Sequence, residues 1–234
     1  MLQDARDEID TIEALATSSA VARELVIPAA VVWASADKSA ALVAMPRADG
    51  DLADLLAGTM SRSEQVALRI LRLAFDAVYD VYNATGFIYH DLKLNNMLYS
   101  CAGGGLSVFL ADYGGFAREG EVVYSTFPHF TVVESGAVAQ RNTQPAAVYA
   151  LGVLFLAAVD EDNYFHFGED IEAARRYMSL YVRPDSALHK LAAWCLCFNC
   201  DTGQFMRGDA AIGARTFKAL QRRLMRVESD GKFL

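Results

Sequence analysis

The chain has 234 residues, 53% hydrophobic and 21% charged, with a formal net charge of −8 at pH 7. That length and apolar content suffice for one domain with a sizeable core. The acidic balance argues against sequence-independent binding to a nucleic-acid backbone, which needs clustered cations, but leaves a basic peptide open as substrate. No N-terminal stretch joins a basic start to an apolar run, so no signal peptide is expected. The longest apolar run, Val148 to Val159, is too short to span a bilayer and reads as a buried helix. The expectation is a chain without nucleic-acid or membrane partners, resident in the cytoplasm or nucleus.

In chain order, Asp4 to Leu15 sets Ile9, Ile12 and Leu15 at helical spacing with acidic residues opposite. Val26 to Ala34 and Ser39 to Met45 are β-rich runs joined by the turn Ser35 to Lys38. As part of a short N-terminal lobe, these strands are expected to leave an apolar face exposed that would need a partner. Ser61-Arg62-Ser63-Glu64 reads as a capping box that opens a long helix. Its apolar stripe runs through Val66, Ile70, Leu73, Ala77 and Val81, and Gly86 stops it.

Met97 to Ser100 and Ser107 to Leu110 read as two short strands. The glycines at 103, 104 and 105 turn the chain between them; no helix start or Lys-Ser/Thr follows to make a phosphate loop. Beyond residue 145 the chain reads almost entirely helical, so the whole is α+β and heavy on α. Cys195, Cys197 and Cys200 lie close together, with His189 a conceivable fourth ligand. Their spacing departs from paired zinc knuckles and apolar residues interleave them, so the cluster reads as a buried apolar helix carrying free thiols.

The chemistry concentrates in Tyr89-His90-Asp91-Leu92-Lys93-Leu94-Asn95-Asn96-Met97-Leu98, followed by Ala111-Asp112-Tyr113-Gly114. Asp91 is a carboxylate able to accept a proton from an attacking hydroxyl. Lys93 can neutralise charge on a transferring phosphoryl group. Asn96 and Asp112 offer hard oxygen atoms suited to Mg²⁺. Transfer from ATP is mostly positioning and charge neutralisation, so this set is sufficient in kind.

In order and spacing this constellation resembles H-R-D-L-K-x-x-N and D-F-G, the catalytic and metal-binding loops of eukaryotic-type protein kinases. The resemblance implies a protein-kinase-like fold over residues 1–234. Residues 1–46 would form a reduced N-lobe, an αC-like helix and two strands, and residues 47–234 a mostly helical C-lobe. It implies Asp91 and Lys93 as catalytic residues, Asn96 and Asp112 as Mg²⁺ ligands, and ATP as the phosphoryl donor. Leu42-Val43 with Gly50-Asp51-Leu52 resembles the last N-lobe strand, hinge and following helix start. Ala44 would then be gatekeeper and Met45 to Arg47 the hinge, with Ala44, Met45, Arg47, Asp51 and Leu98 bordering the nucleotide. Phe130 to Glu134 resembles the end of an activation segment, and Tyr149 to Leu154 the central C-lobe helix. Asp201 and Arg207 match a region whose arginine pairs with the glutamate at Glu134. Asp-Leu-Lys is similar to the serine/threonine class, and Ser125 to Pro128 resembles divergent kinases of large DNA viruses.

Departures from the pattern are equally specific. No glycine-rich loop or strand lysine precedes the αC-like helix, so Glu8, its best candidate glutamate, reads as an exposed helix residue. His90 replaces an arginine, which disfavours control through a phosphorylated Tyr124, Ser125 or Thr126. Ala147 stands where an aspartate usually braces the catalytic loop. Two function classes are open: a Ser/Thr protein kinase-like phosphotransferase, and a catalytically impaired pseudokinase that binds a partner kinase. Small-molecule phosphotransfer fits Glu134 and Arg207 less well. The partner in either main reading is a protein.

Overall fold

The computed structural model describes residues 2–18, 24–26, 30–37, 40–57, 64–124, 139–158, 186–199 and 215–227, together with 178, 180, 183, 202, 204 and 205. Helices and small antiparallel sheets are mixed throughout, so the fold is α+β. The chain divides into two compact units, one of residues 1–55 and 73–119, the other of 56–72 and 120–234.

The first unit opens with α1 (Leu2–Ser18), which buries Ile9, Ile12 and Leu15 as their spacing requires. Burying each such side chain stabilises by about 1.5–3 kcal/mol. α1 packs on the turn at Tyr113–Gly115. Strands β1 (Ala30–Ala34) and β2 (Ala41–Ala44) form the expected hairpin, with a bulge between Val31 and Trp33. Ser35 closes its turn, donating to Asp37 at 2.7 Å and accepting from the Ala40 amide at 3.0 Å. The hairpin is open to solvent: Val32 is 61% exposed, Trp33 56%, Leu42 60% and Met45 53%.

β3 (Gly50–Asp51) leads into α2 (Leu52–Ala57). It pairs with β5 (Met97–Ser100), which pairs with β6 (Ser107–Leu110), giving a three-stranded antiparallel sheet. The long helix α3 (Glu64–Thr85) ends where expected. Gly86 takes φ 74°, and its amide returns to the Tyr82 carbonyl at 2.8 Å. The predicted stripe lies on one flank of the buried arc. Val66 is exposed and Leu73 half-buried, while Ala67, Leu68, Leu71, Ala74, Phe75 and Val78 join Ile70, Ala77 and Val81 inside. Beyond α3, β4 (Phe87–Tyr89) pairs with β7 (Phe116–Arg118).

In the second unit, β8 (Val122–Tyr124) pairs with β9 (Ala139–Arg141). α4 (Gln144–Ala157) starts on Thr143, which caps the Ala146 amide at 3.3 Å, and is buried all round from Val148 to Leu156 except at Tyr149. No helix among the described residues is long and apolar enough to cross a membrane. α5 (Ala187–Cys195) begins on Ser186 and carries Cys195 as its last residue. Cys197 follows at φ 56°, and both thiols are free and buried. Burial pushes both thiols up, away from the thiolate form that binds metals. Cys200 lies outside the described residues.

Beyond residue 145 the described residues are mainly helical, as expected, with one short hairpin of Phe198–Asn199 (β10) and Gln204–Phe205 (β11). α6 (Phe217–Val227) closes the unit, burying Phe217, Leu220 and Leu224. Glu64, read as half of a capping box, accepts from the Ser186 hydroxyl at 2.6 Å and the Leu188 amide at 2.9 Å. It thereby places a carboxylate at the N-terminus of α5. Ser61 is outside the described residues.

α4 and α5 approach closely at Gly152, where an added Cβ would come within 2.6 Å of the Cys195 Cβ. The Cys195 Cβ is fixed to the backbone and the Leu196 Cγ follows at 3.0 Å, so a larger residue must push the two segments apart. Gly152→Val is expected to lower stability by about 1–3 kcal/mol in denaturant melts. An unchanged midpoint would show that the two helices are not tightly packed there.

Candidate active site

Two antiparallel ladders bring the site together. In the β5–β6 hairpin Met97 faces Leu110, and the Ala111 amide extends the pairing by donating to the Asn96 carbonyl at 2.9 Å. Asn96 and Asp112, sixteen residues apart in sequence, therefore meet at its end. In the β4–β7 ladder Tyr89 faces Phe116, and the His90 amide extends the pairing to the Gly115 carbonyl at 2.7 Å. The residue after His90 is Asp91. Both ladders thus end on the same loop pair.

Between them sits Tyr89, fully buried, with its ring 4.6 Å from that of Phe116. Its hydroxyl donates to the Ala111 carbonyl, immediately before Asp112. Burial pushes the Tyr89 phenol well up, and the charges of Asp91 and Asp112 push it further, so it stays a neutral donor. A Cβ on Gly115 would fall 2.4 Å from the Tyr89 ring, so only glycine fits beside it. Asp112 takes φ 65°, ψ 88°, and the Gly115 amide closes the turn on its carbonyl at 3.0 Å. A non-glycine residue in this region is strained, and such strain clusters at functional sites.

The polar groups form one network. Lys93 Nζ lies 2.8 Å from Asp91 Oδ2 in an ion pair whose partners are 25% and 18% exposed. Asn96 Nδ2 donates to the same Oδ2 at 2.7 Å, to the Asp91 carbonyl at 3.2 Å, and reaches Asp112 Oδ2 at 3.5 Å. Among the described residues nothing binds the other Asp91 oxygen, Oδ1. Leu92 is buried between Asp91 and Lys93 and anchors the loop. The four residues expected to carry the chemistry therefore stand together.

The candidates expected to border the nucleotide lie in the same unit. Ala44 ends β2 exposed, and Met45 and Arg47 follow, also exposed. Leu98 is half-buried in β5 opposite Asp51 and Phe109. Asp51 has an evident local role, accepting from the Asp54 amide at 3.0 Å to cap α2 and from Asn95 at 3.2 Å. Glu134 and Arg207, expected as a structural pair, and Asp201 lie outside the described residues, as do Ser125 to Pro128.

Glu8 departs from its expectation as an exposed residue. It is half-buried, and burial raises its carboxyl above the ordinary range, with the Asp112 charge adding to the rise. His90 is held low by burial, against the pull of Asp91, Asp112 and a hydrogen bond with the Gly114 backbone. It is a neutral imidazole, where the resembled loop pattern has a permanent cation.

Over 82 residues the chain is 37% identical to "Serine/threonine-protein kinase 1" of Orgyia pseudotsugata multicapsid polyhedrosis virus. The likeness is to a viral kinase. It covers 35% of this chain and 29% of that protein, so it supports a kinase relationship for part of the chain. No protein-family model matches.

The donor set has the chemistry Mg²⁺ prefers: Asp112 supplies an exposed carboxylate and Asn96 an amide oxygen, both hard ligands. The Asn96 amide now turns its NH₂ toward both carboxylates, so holding a metal requires it to present Oδ1 instead.

Two outcomes follow. Tyr89→Phe leaves the Ala111 carbonyl without its donor and is expected to cost about 1–3 kcal/mol in denaturant melts; unaltered stability would mean that bond is idle. For Glu8, a raised folded value means its favourable protonated form is present at low pH and lost as pH rises through that value. Glu8→Gln should therefore melt higher than the wild type at neutral pH. The gain should vanish below the ordinary glutamate value of 4.5. A pH-independent difference would contradict the assigned cause.

Proposed function

We propose that this chain is a protein kinase-like phosphotransferase, moving the γ-phosphoryl group of ATP to a serine or threonine of a protein. The observation that carries the reading is the double hold on one oxygen of Asp91 by Lys93 and Asn96. It fixes the carboxylate and leaves Oδ1 to accept a hydrogen bond, then the proton, from a substrate hydroxyl. Lys93 would turn its ammonium from Asp91 toward a transferring phosphoryl group. Asn96 and Asp112 would hold Mg²⁺, and bound Mg·ATP would supply the phosphoryl group and neutralise its charge. The partial likeness to a viral serine/threonine kinase supports the same reading.

The reading brings with it a kinase-like fold in which residues 1–46 form a reduced N-lobe and 47–234 the C-lobe. Ala44, Met45, Arg47, Asp51 and Leu98 would border the nucleotide, and Glu134 with Arg207 would brace the C-lobe. The partner is a protein substrate or partner kinase inside the cell.

A second reading, a pseudokinase that binds a partner kinase, is favoured by Glu8. Its half-buried carboxyl adds to the acidic groups around Asp112, whose charge raises it further. Calorimetry with Mg·ATP separates the two. Phosphotransferase activity predicts metal-dependent ATP binding that Asp112→Ala removes. It also predicts a kcat reduced about 10²–10⁴-fold by Asp91→Asn, with ATP binding retained. Absence of ATP binding at millimolar nucleotide, with protein-partner binding intact in Asp91→Asn, would leave the pseudokinase.

A further inference from the structure

We propose that the outer face of α6 docks an acidic segment of a protein partner. The inference concerns binding alone and stands whether or not the chain transfers phosphate. With Phe217, Leu220 and Leu224 buried, the orientation of the helix is set, and Lys218, Arg222, Arg223 and Arg226 are exposed. No acidic residue occurs between Phe217 and Val227.

Local energetics disfavour this arrangement. Lys218 stands in the first turn, against the positive end of the helix dipole. Lys218 with Arg222, and Arg222 with Arg226, are like charges four residues apart, which destabilises a helix. A surface chosen for solubility alone would alternate signs. Lys218, Arg222 and Arg223 have no carboxylate at ion-pair distance among the described residues.

One of these cations is also pre-organised. The Arg223 guanidinium carbon lies 4.6 Å from the centre of the Trp194 ring, and that of Arg215 lies 4.4 Å from the same centre. Arg215 is only 7% exposed, and its Nε donates to the Trp194 carbonyl at 2.7 Å. Two guanidiniums on one indole hold Arg223 in place, so less side-chain freedom is lost when a ligand arrives. Burial lowers the Arg223 pKa, and the charges of Arg215 and Arg226 lower it further, which marks a local excess of positive charge.

Charge complementarity and size select the occupant. From Lys218 to Arg226 the stripe is about 12 Å long, the length of about three or four extended peptide residues. A nucleic acid or anionic membrane presents charge over a far wider area and would meet a chain whose net charge is −8. A short run of Asp and Glu matches the stripe alone.

The test is fluorescence polarisation of a labelled hexaglutamate peptide against the full chain, in low and high salt. An acidic protein should repel this probe, so binding requires a local basic surface. Wild type is expected to bind in a salt-sensitive way, and Lys218→Glu with Arg222→Glu to weaken binding by about tenfold or more. Both side chains are exposed, and circular dichroism checks that the variant folds; Lys218→Gln with Arg222→Gln replaces it if it does not. Equal affinity in the folded variant overturns the proposal, as does no wild-type binding at millimolar peptide. Tighter, variant-sensitive binding of oligodeoxythymidine or phosphatidylserine vesicles also overturns it, since the face would then belong to another class of partner.

Discussion

The site depends on how closely Gly115 passes the ring of Tyr89. That approach lets the β4–β7 ladder run on through His90 and Gly115, and puts the Tyr89 hydroxyl under the Ala111 carbonyl. The β5–β6 hairpin enters from the other side and ends with Asn96 against Ala111. A side chain at position 115 would push the turn off the ring, and Asp112 would lose its relation to Asp91 and Asn96. Backbone pairing does the positioning, and one buried phenol ties it together.

Charge is unevenly shared across this arrangement. Asp91, Asp112 and Glu8 contribute three carboxylates, while Lys93 is the ammonium in direct contact and is spent on Asp91. The same surplus raises Tyr89 and acts on His90, where burial outweighs it. A neutral imidazole beside Asp91 adds no permanent charge, so electrostatic stabilisation of a phosphoryl group would fall on Lys93 and any bound cation.

Much of this was legible in the sequence because it is local. The spacing of Asp91, Lys93 and Asn96, the strands on either side of the 103–105 glycines, and the stop at Gly86 all follow from residues within a few positions of one another. The β1–β2 hairpin and its exposed apolar face followed too. What escaped was long-range. Gly115 carries no local signal beside Asp112-Tyr113-Gly114, and only the ring of a residue twenty-six positions earlier makes it obligatory. Glu8 looked like a surface residue because nothing local places α1 on the Tyr113–Gly115 turn. Glu64 carried a valid capping signature, yet its carboxylate reaches Ser186. The β8–β9 and β10–β11 pairs are too short for alternation to register.

The two tryptophans are divided between the two compact units, Trp33 in the first and Trp194 in the second. Trp33 is 56% exposed, whereas Trp194 is half-buried with two guanidinium groups against its ring. An indole in water emits to the red of one enclosed by protein, so the intrinsic fluorescence of this chain carries two separable signals. Each unit therefore contains its own optical reporter, and removing either indole leaves the unfolding of the other unit to be followed by itself.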